Sequence, residues 1–598
     1  MLNLSRPLRP AQIIAMLSIA LPLWLPLQAL AQSSGTDIAA AQVPVLAVVK
    51  PARACTDLAT VALDDIGGAG SRITEAAVTS DGAAPACAVK GMLAPSIGFE
   101  VRLPTETWTQ RYLQVGCGGL CGNIRLTPGA AEGCLPLQAG DFVVGSTDMG
   151  HQGRDASFGD DPQKRADFAH RAQHLTALTA KRLIAAFYGR PQAYAYFTGC
   201  SDGGREALVE AQRYPNDFNG IVAGAAAMNF QVQNALFHAW QVRANTGPDG
   251  RAILLAGRLQ LLHAAVLQAC DGLDGIADGL VSDPLACRFD PARIQCASES
   301  QDPNTCLTAS EVAAARKLYD DPRDPATGER LTVGGPLPGS ELAWAGVYVP
   351  VGPDQPVFGR FIALEALRNM VFTPNPPAGF VLDDLVFDRA LFERLRPLHP
   401  LYDATNPDLS PFAAAGGKLI LWHGLADPHI SPVNTIAYLT ALQAQMGKEH
   451  AAAFSRLYLF PGMYHCSGGV GPSQVDLLTP MLAWVEAGTP PGAVIARQPE
   501  RNVASDFGAP GLWGPGGRPA GPSGADRPEA VPRAGAPISS TAILRTRPTY
   551  PYPVIATYDG GGDPNRAESF GPGASAATFT MPAWTGADFY RPYAPRER

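Results

Sequence analysis

The pentapeptide Gly199-Cys200-Ser201-Asp202-Gly203 constrains this chain more than any other feature. It follows an apolar, β-rich run at residues 194–198 and precedes a helical pattern that starts near Gly204. G-x-S-x-G between a strand and a helix is a nucleophile elbow: the sharp turn needs small flanking residues and lifts the serine hydroxyl above a sheet edge. In an ordinary strand–helix turn the same letters would make Ser201 a helix cap. The preceding strand favours the elbow. Such an elbow needs a parallel sheet, and the rest of the pattern supplies one. Residues 112–115 and 142–146 are further short β-rich runs, and residues 168–188 carry Leu175, Leu178, Leu183 and Ile184 at helical spacing. Strand–helix alternation predicts a mainly parallel sheet with helices on both faces.

The alternation lapses between residues 230 and 402, a region with four cysteines, an Asp-rich loop and many aromatics. It resumes with a strand at 418–422, a helix at 432–446, a strand at 456–460 and a helix at 477–487. The expectation is an α/β-hydrolase fold: a core of residues 32–229 and 403–598 with a large inserted lid, residues 230–402. Beyond Gly488 the chain is rich in Gly and Pro, most densely at 508–537, which reads as loop or linker; residues 543–570 regain order.

A nucleophilic serine needs a base, and the base needs an orienting carboxylate. In this fold they follow in the order Ser, Asp or Glu, His, each just past a strand. Asp427 lies five residues after the strand ending at 422, and His465 five after the strand ending at 460. His423 ends a strand and reads as structural. His429 reads as a neighbour of the site mouth without a strand before it, and Asp403 as a residue near an element boundary. The oxyanion of acyl transfer needs two N–H donors, here the backbone of Asp202 and, from the loop after residues 112–115, Gly119, with Gly118 next. The Asp202 side chain is expected to be incidental. Cys200 precedes Ser201 and Cys466 follows His465, so a disulfide between them would tether the elbow to the histidine loop.

Residues 1–31 read as a secretory signal: Arg6 and Arg9 precede an apolar stretch at 11–27, and Ala29-Leu30-Ala31 offers a cleavage site. Pro22 and Pro26 interrupt that stretch, which is short for the ~20 residues of a membrane span. The expected product is secreted or periplasmic, free of the membrane after cleavage, where disulfides persist. A net charge of −8 gives no nucleic-acid footprint, and 46% hydrophobic residues exclude a disordered chain. Eleven cysteines are an odd number for an exported protein.

Gly-Cys-Ser-Asp-Gly-Gly-Arg at 199–205, a distant Asp427 and the final His465-Cys466 resemble the tannase/feruloyl esterase family of α/β-hydrolases. The resemblance implies a serine carboxylic-ester hydrolase acting through an acyl-enzyme on small esters of aromatic acids, with no organic cofactor. Hydroxycinnamoyl (feruloyl) esters are the default, gallate esters next, and terephthalate monoesters, such as the mono-hydroxyethyl ester, a further alternative. A serine peptidase or a catalytically silent secreted binding protein on the same fold are the rivals. By the family's spacing, Cys270–Cys287 and Cys296–Cys306 close lid loops and Cys55–Cys87 ties the N-terminal region. Among Cys117, Cys121 and Cys134, the pairing Cys121–Cys134 is preferred, leaving Cys117 a free thiol; Cys117–Cys121 is the alternative.

Residues 270–280 place three aspartates among glycines, hard oxygen donors suited to Ca²⁺, in a spacing unlike an EF-hand. The resemblance implies a structural calcium in the lid held by Asp271, Asp274 and Asp278 and the carbonyls of Ile276 and Leu280. Trp240, Trp344, Tyr348, Phe358, Phe361 and Phe372 are available to wall a pocket, with Arg360 or Arg368 facing a substrate carboxylate. The family's C-terminal disulfide segment reads Arg547-Pro548-Thr549-Tyr550-Pro551 here, and its partner near Phe570 also lacks cysteine.

Overall fold

The structure is a computed structural model that describes residues 42–298, 300–500 and 542–597. The expected signal, residues 1–31, and the Gly/Pro-dense stretch, 508–537, lie outside the described residues. Among the described residues nine strands form the main sheet: β1 (Arg72–Thr79), β2 (Ala86–Leu93), β3 (Ile97–Pro104), β4 (Arg111–Val115), β5 (Phe142–Thr147), β6 (Tyr194–Cys200), β7 (Gly220–Gly224), β8 (Lys418–Gly424) and β9 (Ser455–Phe460). Their spatial order is β1-β2-β3-β5-β4-β6-β7-β8-β9. From β5 through β9 every pair is parallel. This is the order and sense of an α/β-hydrolase sheet.

Successive residues along a strand point to opposite faces, and here each face has its own core. Leu113, Val115, Tyr196, Val222, Ile420, Trp422 and Tyr458 pack with Met481, Leu482 and Trp484 of the helix Leu478–Ala487 on one side. Tyr112, Phe197, Ile221, Leu419, Leu421 and Leu457 face the other side. There they meet the helices Ala172–Tyr188, Asp202–Arg213 and Pro432–Met446. Burial on both faces is what a parallel sheet requires.

One part of the sheet escaped the sequence pattern. β1, β2 and β3 form an antiparallel meander, and β3 joins β5 antiparallel. β1 is an edge strand with no buried residue, so it carries no apolar alternation, while the first four residues of β2 are all buried.

Between β7 and β8 the chain builds a largely helical region and returns at its point of departure, where the Ala404 N–H donates to the Met228 carbonyl at 2.8 Å. Its principal helices are His238–Ala244, Leu259–Cys270, Ala309–Tyr319, Phe358–Asn369 and Arg389–Leu395. Phe230, Phe358, Leu367 and Leu395 join the same apolar cluster as Leu208 and Phe197 of the sheet-and-helix core. Toward the C-terminus, β10 (Val494–Pro499) pairs with β11 (Ile543–Thr549), and β12 (Val554–Tyr558) with β13 (Phe570–Ser575). Arg547 of β11 lies 3.6 Å over the Phe570 ring of β13. A cation–π contact therefore joins the two C-terminal strand pairs.

Among the described residues five disulfides are present: Cys55–Cys87, Cys117–Cys121, Cys200–Cys466, Cys270–Cys287 and Cys296–Cys306. The preferred pairing Cys121–Cys134 is wrong, and the free thiol is Cys134, not Cys117. The reason is topological. Cys121, in a turn with φ 62°, packs on the helix-rich face, whereas Cys134 sits with Leu113 and Val115 on the opposite face of the sheet. Burial pushes the Cys134 thiol up to about 12, so it is unreactive in the folded protein. Thiol titration of the unreduced protein is expected to find none in buffer and one in denaturant. The Cys134→Ala variant is expected to show none in either; a thiol remaining in that variant contradicts the pairing.

Candidate active site

Ser201 directly follows β6 and caps the helix Asp202–Arg213 with φ 67° and ψ −121°, a backbone conformation that costs energy for any residue with a side chain. The turn is locked on several sides. The Ser201 N–H donates to Gly224 O at 3.0 Å, and Ser201 O accepts the N–H groups of Gly204, Arg205 and Ala227. A Cβ on Gly203 would lie 2.7 Å from Cys117 O, and one on Gly116 2.7 Å from the Gly203 Cα. Glycine at both positions lets the loop after β4 press against the elbow. In that loop Gly119 has φ 66° and is half-buried, as is Ser201. The N–H groups of Gly119 and Asp202 donate to no backbone carbonyl among the described residues.

Asp427, fully buried, follows β8. Its Oδ1 accepts the backbone N–H groups of His429 (2.7 Å) and Ile430 (3.0 Å). Its Oδ2 accepts His465 Nδ1–H at 2.7 Å and His423 Nε2–H at 3.1 Å. Burial alone would raise the carboxyl pKa; the two imidazoles and their hydrogen bonds outweigh it and hold the group far below the usual carboxylate range. With Nδ1 committed to Asp427, His465 is left with Nε2 as its basic nitrogen. The Cys200–Cys466 disulfide, Cα–Cα 5.9 Å, ties the residue before Ser201 to the residue after His465, so elbow and histidine loop meet. Cys466 also turns with φ 65°.

His423 takes a structural place, as its position at a strand end suggested. Its Nδ1 accepts the Thr435 hydroxyl at 2.7 Å, and its Nε2–H is shared between Asp427 and Ile430 O. It is a second clamp on Asp427, which the sequence did not reveal. The His429 ring lies 4.8 Å from that of His465, and Asp403 is engaged elsewhere with His399 at 2.7 Å. The Asp202 side chain is not incidental. Its two oxygens accept Arg205 Nε–H (2.6 Å) and Nη2–H (3.0 Å) in a fully buried pair that also holds the carbonyls of Phe168, Ala169 and Tyr402. An Asp–Arg pair at i, i+3 was the available signal.

Of the aromatics proposed for the pocket, Phe358 stands edge-on to the His429 ring at 4.7 Å, with the buried His238 ring 5.7 Å beyond. Trp240 and Trp344 are tied within the lid, donating to Lys317 O, Asp320 O and Ser340 Oγ, and Phe372 lies beneath Arg394. Tyr348 is buried beside Trp344, while Phe361 is half-buried on the helix of Phe358. Arg368 donates to Phe380 O at 2.8 Å and Arg360 is exposed.

In the Asp-rich loop, Asp271 accepts the N–H groups of Asp278, Gly279 and Leu280, and Asp274 those of Ile276 and the Ser282 hydroxyl. Asp278 Oδ2 pairs with Arg547, while Asp278 Oδ1 is buried with no hydrogen-bond partner among the described residues. That single orphaned oxygen suits a cation such as Ca²⁺, but the other carboxylate oxygens of the loop are already engaged and both Arg545 and Arg547 meet Asp278.

Residues 78–572 match the family profile described as tannase and feruloyl esterase. The chain is 33% identical over 580 residues to an uncharacterized esterase of Xanthomonas campestris pv. campestris, covering 88% of this chain and 92% of that one. It is 30% identical over 556 residues to a mono(2-hydroxyethyl) terephthalate hydrolase of Piscinibacter sakaiensis, covering 81% and 84%. The solved structure of an esterase from Aspergillus oryzae superposes with a TM-score of 0.70 at 24% identity, over 87% of this chain and all of that one.

Because the folded-state pKa of Asp427 is depressed, its contribution to stability is complete above its unfolded pKa, ~3.9, and is lost as the pH falls below it. Urea unfolding of Asp427→Asn is therefore expected to lose stability less steeply than wild type below about pH 4, by up to roughly 1.4 kcal/mol per pH unit. Parallel stability–pH curves contradict the assignment.

Proposed function

The chain belongs to the tannase and feruloyl esterase family, and from that premise we propose that it is an exported serine hydrolase of aromatic-acid esters, hydroxycinnamoyl esters first. Ester hydrolysis is the family's activity; the serine mechanism and the substrate are the proposal. One arrangement supports it: His465 is hydrogen-bonded to Asp427, and the Cys200–Cys466 bond joins the residue before Ser201 to the residue after His465.

In this reading His465 Nε2 takes the Ser201 proton as Oγ attacks the ester carbonyl. Asp427 fixes the tautomer and stabilises the imidazolium without itself taking the proton. The N–H groups of Asp202 and Gly119 receive the oxyanion, and removing one such donor typically costs ~2.7–4 kcal/mol. His465 returns the proton to the departing alcohol, leaving an acyl group on Ser201. Water, activated by the same nitrogen, then releases the acid. An aromatic acyl group meets Phe358 and His429 on the lid side. Arg360 is exposed and Arg368 is bound to a backbone carbonyl, which favours a neutral phenolic ring over a terephthalate carboxylate. Five disulfides support an oxidising compartment, and no helix among the described residues is long and apolar enough to cross a membrane.

Asp271, Asp274, Asp278 and the carbonyls of Ile276 and Leu280 would hold the lid calcium, which supplies charge compensation to the loop and takes no part in the reaction. Dialysis against a chelator is expected to lower the Tm by about 3 °C or more, with recovery on adding Ca²⁺ but not Mg²⁺. An unchanged Tm contradicts the site.

The reading is tested with methyl ferulate, methyl gallate, mono(2-hydroxyethyl) terephthalate, p-nitrophenyl acetate and a peptide. Wild type should turn over methyl ferulate fastest among the aromatic esters and leave the peptide intact, and Ser201→Ala should lose roughly 10⁴–10⁶-fold in kcat. Hydrolysis of none of the esters, or turnover surviving in Ser201→Ala, contradicts it.

A further inference from the structure

Behind the loop that presents Gly119 runs a buried chain of polar groups that the catalytic assignment does not use. The Tyr112 hydroxyl donates to Gln114 Oε1, Gln114 Nε2 to the Gln173 carbonyl at 2.9 Å, and Gln173 Nε2 to Glu206 Oε2. The same Glu206 oxygen accepts the Cys117 N–H at 3.2 Å. Glu206 Oε1 lies 2.7 Å from Cys117 Sγ and 3.3 Å from Cys121 Sγ, and Asp202 Oδ2 lies 3.4 Å from Cys121 Sγ. Every residue in this chain is buried.

Two features make the arrangement more than packing. The Cys117–Cys121 bond closes a ring around residues 118–120, the segment that carries the Gly119 N–H. Glu206 belongs to the helix Asp202–Arg213, which begins at Ser201, so the loop is referenced to the same rigid element as the nucleophile. A disulfide sulfur has no proton to give, so a carboxyl oxygen packed against two of them is better tolerated neutral than as a carboxylate. Burial and the neighbouring Asp202 push the Glu206 pKa well up, in the same direction.

We propose that Glu206 and the Cys117–Cys121 disulfide are positioning groups for the oxyanion hole, fixing the Gly119 N–H at hydrogen-bond range of the oxyanion formed at Ser201. This rests on Ser201 as nucleophile and Gly119 as donor. An oxyanion donor acts over a few tenths of an ångström, and its loss costs ~10²–10³-fold in kcat. A loosened loop forfeits part of that. The loss falls on kcat because the oxyanion forms only in the transition state, and it falls equally on every ester because all share that oxyanion.

The test compares Glu206→Gln, Glu206→Leu and the double variant Cys117→Ala/Cys121→Ala on p-nitrophenyl acetate and methyl ferulate. Ser201 labelling by diethyl p-nitrophenyl phosphate is followed by peptide mass spectrometry. The double variant and Glu206→Leu are expected to lose at least tenfold in kcat, by the same factor on both esters, with KM within threefold and slower labelling. Glu206→Gln, a neutral isostere that still accepts the Cys117 N–H and offers N–H to sulfur, is expected to stay within threefold of wild type from pH 6 to 8. A folded double variant that keeps more than half of wild-type kcat overturns the proposal. So does a loss confined to KM or to one ester, or a Glu206→Gln variant as damaged as Glu206→Leu. If the double variant does not fold, the Gln and Leu variants, with the disulfide intact, decide by the same criteria. Failure of wild type to label at Ser201 overturns the active-site reading instead, and normal labelling with unaffected variants overturns only the clamp.

Discussion

The bond between Cys200 and Cys466 joins residues 266 apart in sequence, and the candidate centre depends on it. Bringing the ends of so long a segment together is entropically costly to the unfolded chain, and a cross-link lowers that cost for every native contact around it. Here those contacts include two backbone conformations that resist forming, Ser201 at φ 67° and Cys466 at φ 65°, one on each side of the bond. Such conformations persist where the surroundings over-determine them. Hydrogen bonds from Ser201 N–H and to Ser201 O fix the first, and Asp427 fixes the histidine loop beside the second.

A second constraint is electrostatic. Asp427 and Asp202 are both fully buried carboxylates, and each is met by cationic or N–H donors on both oxygens. Burying a carboxylate is tolerated only with that degree of satisfaction. The consequence is rigidity at the candidate centre. Asp427 cannot swing away from His465 without abandoning His423 and two backbone N–H groups. The helix that starts at Ser201 is pinned through the Asp202–Arg205 pair to the segment around Phe168 and Ala169.

The parts of the site that sit at strand ends were legible in the sequence. Ser201, Asp427 and His465 each follow a short apolar run, and a parallel sheet leaves such positions on one edge, so order and spacing gave their places after β6, β8 and β9. The Cys200–Cys466 pairing was legible for the same reason, because each cysteine adjoins one of those residues. What depended on which face of the sheet a residue occupies was not. Cys134 reads as a partner for Cys121 until the sheet stands between them, and Asp202 reads as a bystander until Arg205 turns inward beneath it. The edge strand β1 has no fully buried residue and had no alternation to read. His423 shows the intermediate case: its structural place followed from its strand, but its hydrogen bond to Asp427 required the loop to fold back.

The central claim is that Ser201 carries the acyl group. Rapid acid quench of the wild-type enzyme during turnover of a p-nitrophenyl ester, followed by peptide mass spectrometry, tests it most directly. The account predicts one acyl group per molecule, on the peptide containing Ser201 and on that hydroxyl. Turnover with no acyl-enzyme trapped under conditions where p-nitrophenol is released in a burst, or an acyl group found on another residue, would contradict it.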